Sequence, residues 1–179
     1  ELRNLGGVND GSAIRVLGAG TGVELRDNHI HGIRGTSAMG ITVYGTGATP
    51  VAQLVVAGNH VHDCDPAPSE AIALNGNVDG FTVTDNVVED VNNIGMVFIG
   101  GERDIQPDPS LVARNGVVRG NVVRRARSSY GGGFAGGIYV DGGRDILLER
   151  NVVTESDLGM EIGAENAAAS TSMRRVCNA

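Results

Sequence analysis

Apolar and polar residues alternate in short runs along the whole chain, and one run recurs six times. Each copy reads small, apolar, any, apolar, any, small, at residues 13–18, 40–45, 71–76, 95–100, 137–142 and 159–164. Period-two alternation predicts β-strands whose side chains face inward and outward in turn. Such strands are too short to bury their apolar faces alone, so we expect the copies to stack as repeats.

A second pattern follows each of the first five copies and contains an asparagine. Alternating apolar residues lead to the Asn, and another apolar residue follows it, at residues 23–30, 54–61, 81–88, 116–123 and 146–153. The asparagines are Asn28, Asn59, Asn86, Asn121 and Asn151. We expect each to take the left-handed backbone conformation at a corner, with its amide bonded to the next Asn along the stack.

Together the two patterns predict an all-β fold, a right-handed parallel β-helix of about six coils. One inward column is expected to contain Ile14, Ile41, Ile72, Met96, Ile138 and Met160, and the other Val16, Val43, Leu74, Phe98, Val140 and Ile162. The chain starts and stops within the pattern, which predicts that residues 1–179 are a single segment of a longer protein, open at both ends. Open ends predict poor solubility for the isolated segment.

The repeated units resemble those of the pectate-lyase-like superfamily of right-handed parallel β-helices. That resemblance implies a polysaccharide partner and a secreted or cell-surface location. The superfamily includes polysaccharide lyases, hydrolases, epimerases, phage tailspikes and non-catalytic surface proteins, so the resemblance does not fix the function.

Composition and charge limit the classes of binding partner that the chain can have. The net charge is −7, all 14 basic residues are Arg, and they are scattered, which argues against nucleic-acid binding. No apolar run approaches the roughly 18 residues of a membrane span. Cys64 and Cys177 are expected to be buried or half-buried thiols, since two cysteines define no disulfide framework. The sequence does not predict an oligomeric state.

Three long insertions, at residues 63–70, 101–113 and 125–136, flank the strands of the first pattern. Solenoid insertions tend to gather on one side, so these should wall a groove there. Two outward-facing carboxylates on adjacent coils, Asp141 and Glu161, are the candidate catalytic residues. The candidate substrate contacts are Tyr139, Glu70, Asn75, Glu102, Tyr130 and Glu165. The alternative is that all of these are ordinary solvated positions.

Family-specific motifs exclude some enzyme branches. The chain contains no Lys, so a lyase that uses a Lys base is excluded within this segment. The pectin-hydrolase motifs are absent apart from a chance-level Asn77-Val-Asp79. A lyase with an Arg base and Ca²⁺ stays open, with Arg103, Arg114 and Arg144 as the candidate bases.

Two groups of residues suggest metal binding. Asn75, Asn77 and Asp79 match the first half of a Ca²⁺ loop, although Asn86 stands where a Glu is expected; the alternative is a tight turn. The four histidines occupy identical places in two successive coils, which should stack His29 on His60 and His31 on His62 at about 5 Å. These rings suit a transition metal, or they simply repeat a surface turn.

Two functions therefore remain. The first is a carbohydrate-active enzyme, a lyase or hydrolase acting on an extracellular polysaccharide, with uronate-containing polymers included. The second is a non-catalytic spacer, adhesin or sugar-binding module. The irregular insertions favour the enzyme, because long loops more often carry function.

Overall fold

The computed structural model describes residues 1–5, 11–131, 133–166 and 172–177, and the strands in these ranges form three parallel sheets. Sheet I contains Ser12–Leu17, Met39–Gly45, Ile72–Gly76, Met96–Ile99, Gly136–Asp141 and Leu158–Gly163. Sheet II contains Gly20–Thr21, Glu24–Arg26, Val51–Ala57, Val78–Thr84, Arg114–Arg119, Ile146–Glu149 and Met173–Cys177. Sheet III contains Leu2–Arg3, His29–His31, His60–Cys64, Val87–Val91, Val122–Ala126 and Val152–Thr154. Across these ranges no helix has the length and apolar character needed to cross a lipid bilayer.

Each coil passes through sheets I, II and III in turn, and each strand pairs in parallel with its counterpart in the next coil. In sheet I, Ile41 pairs with Ile72, Ile72 with Met96, and Met96 with Ile138. The second inward column has the predicted register too, from Val16 to Ile162. The parallel β-helix is therefore confirmed, and a continuous apolar core runs along its axis.

The asparagine ladder is confirmed, with one correction. The amide of Asn121 donates to Oδ1 of Asn151 at 2.9 Å and to the carbonyl of Val83, and its own Oδ1 accepts from Asn86. The left-handed conformation, however, belongs to the preceding residue, and the prediction that Asn adopts it is wrong. The residues with positive φ before each Asn are Asp27, Gly58, Asp85, Gly120 and Arg150. Placing the turn one residue earlier lets each Asn side chain point inward to its neighbours.

The cysteine prediction is confirmed for Cys64, a free thiol with no exposed surface. Burial raises the pKa of this thiol above its ordinary value. The side chain of Cys177 lies outside the described residues.

Candidate functional site

A cleft of about 420 Å³ lies on the outer face of sheet I, and all three insertions contribute to its wall. Insertion 63–70 supplies Pro68 and Glu70, insertion 101–113 supplies Glu102, and insertion 125–136 supplies Tyr130, Gly133 and Phe134. Sheet I and its flanks supply the other lining residues, Asn93, Ile94, Val97, Ile99, Tyr139, Asp141, Leu158, Glu161 and Glu165. The expected groove between the insertions is thus present.

The cleft brings together seven of the eight residues selected from the sequence. They are Glu70, Glu102, Tyr130, Tyr139, Asp141, Glu161 and Glu165. The eighth, Asn75, is almost fully buried and does not line the cleft; its Nδ2 donates to Oε2 of Glu102 at 2.6 Å. Asn75 therefore orients the carboxylate of Glu102, which does line the cleft. Whether the seven contact a substrate stays a prediction.

Two adjacent sheet I strands position the strand-borne groups. Tyr139 is paired with Glu161 across the coils, and Asp141 follows Tyr139 by two residues, so all three side chains leave the same face. The hydroxyl of Tyr139 donates to Oε1 of Glu165 at 3.1 Å, and Oδ1 of Asp141 accepts from the backbone N–H of Glu165 at 2.7 Å. These bonds fix the segment after the last sheet I strand against the cleft.

Two asparagines hold the insertion that carries Glu70. Oδ1 of Asn92 accepts from the backbone N–H of Ala67, and Nδ2 of Asn93 donates to the carbonyls of Pro68 and Ser69 at 2.9 Å. Asn93 is 4% exposed and lines the cleft, yet nothing in the strand pattern singled it out. Backbone groups of a loop need such partners where water is excluded.

The insertion that carries Glu102 is docked onto a turn of an earlier coil. Nε2 of Gln106 donates to the carbonyls of Gly45 and Gly47 at 3.1 and 3.0 Å. The backbone N–H of Gln106 also donates to the carbonyl of Glu102, which closes a tight turn. Gln106 is 5% exposed, so this anchor is part of the packed structure.

Burial and the repulsion between neighbouring negative charges raise the pKa values of three acidic side chains in the cleft. Desolvation, reinforced by the charges of Glu102, Asp141 and Glu165, raises the pKa of Glu70 to about 8. Desolvation and the neighbouring carboxylates also raise the pKa of Asp141, which is 5% exposed. The same causes raise the pKa of the Tyr139 phenol. The cleft therefore contains a carboxyl group that is protonated at neutral pH.

Aromatic side chains form the rim of the cleft. Tyr130 is 45% exposed and Phe134 is 76% exposed, both in insertion 125–136. Oδ2 of Asp157 accepts from the backbone N–H groups of Ser128 and Ala135, which anchors this insertion at both ends. The sequence analysis missed Phe134, although an aromatic residue within a glycine-rich insertion was the available signal. Exposed rings at a polar cleft are suited to stacking on sugar rings.

The floor of the cleft belongs to a second apolar cluster outside the main core. Met39, Ala73, Val97, Ile99 and Tyr139 pack together on the outer face of sheet I, and all are buried. The insertions cover this face, so Ala73, Val97, Ile99 and Tyr139 are buried although they face away from the main core.

No Arg lines the cleft among the described residues. Arg114, one of the three candidate bases, donates to Oδ1 of Asn77 and forms an ion pair with Asp79 at 3.0 Å. Arg103 donates to the carbonyl of Pro107 at the surface of its loop. The three Arg candidates are therefore not brought to the carboxylates.

The structure does not assemble Asn75, Asn77 and Asp79 into a calcium-binding set. Arg114 already contacts the side-chain oxygens of Asn77 and Asp79, and Nδ2 of Asn115 donates to Asp79. Asn75 bonds to Glu102 instead. Among the described residues, the sets of three His, Cys, Asp or Glu ligand atoms within 4.8 Å all contain histidine. The cleft carboxylates are not among these sets.

Comparison with known proteins yields one relative. No protein-family model and no solved structure matches the chain. The chain is similar to the uncharacterized protein YwoF of Bacillus subtilis (strain 168), with 43% identity over 161 residues. The match covers 86% of this chain and 34% of YwoF, so the chain spans about a third of that relative's length. Membership of the pectate-lyase-like superfamily stays a prediction.

Proposed function

We propose that this β-helix is a glycoside hydrolase that cleaves a neutral polysaccharide in the cleft on sheet I. The observation that carries the proposal is the pairing of a carboxyl group protonated at neutral pH, Glu70, with further carboxylates in one cleft. Glycoside hydrolysis needs a proton donor to the leaving oxygen and a carboxylate that acts on the anomeric centre.

The roles follow from the environments of the groups. Glu70, desolvated and surrounded by negative charge, donates its proton to the glycosidic oxygen as the bond to the anomeric carbon breaks. Glu161 takes the proton of the water that attacks this carbon. To complete the cycle Glu161 releases that proton to solvent and Glu70 takes one up. Asp141, held by the Glu165 backbone, contributes negative charge near the developing oxocarbenium ion.

Charge favours a hydrolase over a lyase. A uronate polymer meets four acidic side chains besides the protonated Glu70 in this cleft, with no Arg among the described lining residues, and is repelled unless a cation bridges the two. A lyase also needs positive charge to stabilise the enolate that forms during proton abstraction. A neutral polysaccharide meets neither obstacle, and Tyr130 and Phe134 offer it stacking surfaces.

The test is a product assay on neutral and uronate polysaccharides, with and without Ca²⁺. We expect new reducing ends from a neutral polymer and no unsaturated product, with activity reduced at least about a hundredfold by Glu70→Gln, within the range of general acid catalysis. Glu24→Gln is the matched control, because Glu24 is exposed on sheet II and bonds to Arg26.

Other outcomes discriminate the remaining functions. A Ca²⁺-dependent unsaturated product from a uronate polymer would establish a lyase. Binding without any product, lost on Tyr130→Ala or Phe134→Ala, would establish a non-catalytic sugar-binding module. Either result rejects the hydrolase.

A further inference from the structure

Four histidines form one array on the outer face of sheet III, away from the cleft. His29 pairs with His60 and His31 with His62 on adjacent strands. The stacked ring centroids lie 5.4 Å apart for the first pair and 5.0 Å for the second, as the repeat predicted. The diagonal pair is linked as well, because Nε2 of His29 lies 2.8 Å from Nε2 of His62.

We propose that His29, His60 and His62 bind one divalent first-row transition-metal ion, for which Zn²⁺ is the probe. One ring nitrogen from each of these histidines lies within 4.8 Å of the others. Imidazole nitrogens suit Zn²⁺, and two nitrogens on a tetrahedral Zn²⁺ lie about 3.3 Å apart, given bonds of about 2.0–2.1 Å. A small rotation of the partly exposed rings opens the 2.8 Å contact to that spacing.

A neighbouring carboxylate prepares His62 for this role. Nδ1 of His62 lies 2.6 Å from Oδ2 of Asp63, so the Nδ1–H donates to the carboxylate and the lone pair stays on Nε2. This carboxylate–histidine arrangement is the one that orients metal-bound imidazoles. In the metal-free array the Nε2–H of His29 donates to that lone pair. The ion replaces this shared hydrogen, and His29 takes its other neutral tautomer, with the hydrogen on Nδ1.

The surroundings favour a bound cation at neutral pH. Glu89 lies 2.9 Å from Nε2 of His60, and with Asp63 it supplies negative charge around the array. Arg124 and Arg125 lie against Glu89 and balance part of its charge.

The overlapping set of Glu1, His29 and His31 provides the internal control. Both sets contain His29, so the two possible sites compete for this residue. If the proposal holds, His60 and His62 are needed and His31 is not. Cys64 is fully buried, which keeps its thiol from competing for the ion.

The experiment is calorimetric titration of metal-free protein, without a histidine tag, with ZnCl₂ at pH 7.5 and at pH 5.5. We expect one equivalent at pH 7.5, weaker binding at pH 5.5 as protons compete, and at least about a tenfold loss of affinity in His29→Gln, His60→Gln and His62→Gln. Asp63→Asn should weaken binding by a similar factor, and His31→Gln should leave it within about threefold.

A second measurement uses the unmodified protein, which removes any doubt about the folding of variants. Zn²⁺ should shift or broaden the ring-proton NMR signals of His29, His60 and His62 at one equivalent. Absence of binding at about 100 μM Zn²⁺ overturns the proposal. So does binding that survives the His29→Gln and His62→Gln substitutions together, or binding that depends on His31 and not on His60.

Discussion

The ring of Phe81 fills the space beside Gly116, its partner on the next strand of sheet II. A Cβ atom at residue 116 would overlap the Phe81 ring, and the ring itself stacks on Phe98 at 5.3 Å. Leu54, Phe81 and Gly116 therefore occupy one column on successive coils, and the glycine follows directly after the large Phe81. Large and small residues alternate here to keep the core filled.

Gly116→Ala should destabilise the protein by about 1–3 kcal/mol, because overpacking a filled core forces its neighbours to move. The check is chemical denaturation. In the background of Phe81→Val, which removes the ring, the same change should cost clearly less. If the two substitutions were simply additive, the ring would not be the reason for the glycine.

Asn121→Ala should destabilise the protein by about 3 kcal/mol or more. It removes both donors and the acceptor of a fully buried amide, and it leaves the backbone N–H and the amide of Asn86 without their acceptor. Asn28→Ala, at the half-buried first rung, is the matched control and should cost much less. Equal losses in thermal unfolding would contradict a ladder whose energy depends on burial.

Stability should depend on pH through Glu70. Its pKa is about 8 in the folded protein against an ordinary 4.5, so between these values the folded state holds a proton that the unfolded chain has released. The free energy of unfolding therefore falls as pH rises from about 4.5 to 8. Glu70→Gln removes this term and should be more stable than the natural protein at pH 8, by about 4 kcal/mol.

The check for Glu70 is thermal unfolding of both proteins at pH 5 and pH 8. The gain in unfolding temperature at pH 8 should be roughly 8–16 °C and should shrink toward pH 5. A pH-independent difference would show that the carboxyl group is not protonated in the fold.

Gln106→Ala should loosen the insertion that carries Glu102. Loss of the two bonds to the carbonyls of Gly45 and Gly47 should cost about 1–3 kcal/mol, at about 0.5–1.5 kcal/mol for each bond, since Asn77 still donates to both carbonyls. Hydrogen exchange should rise in residues 101–113 and stay unchanged in the sheet III strands. Arg103→Ala, an exposed position of the same loop, is the control. Equal exchange in both variants would show that Gln106 is not the anchor.

The fold could be predicted because every coil repeats the same pattern of apolar residues that must be buried. Period-two alternation fixed the facing of Ile72 and Leu74, and the recurrence fixed which residues pair across coils. The position of the left-handed turn was harder, since Asp85, Gly120 and Arg150 precede their asparagines and only the glycine is a clear signal. Because Asp, Gly and Arg all occupy this structural position, the sequence does not show that they share the left-handed conformation.

The site was predictable only where strands carry it. Tyr139, Asp141 and Glu161 follow from alternation and register, which place them on one face. Loop residues have no such period, so the signal for Phe134 was limited to an aromatic ring within a glycine-rich insertion, and nothing indicated that the loop residue Glu102 would accept a hydrogen bond from Asn75. The pKa of Glu70 depends on which loops close around it, which the sequence does not reveal.

The central claim is that the protonated carboxyl of Glu70 drives hydrolysis in the cleft, and the pH dependence of kcat/KM on a neutral polysaccharide tests it most directly. The account predicts that activity falls on the alkaline side with a pKa near 8, and that Glu70→Gln removes the activity whereas Glu24→Gln leaves the whole profile unchanged. Unaltered hydrolysis by Glu70→Gln, or no release of reducing ends by the natural protein at any pH, would contradict it.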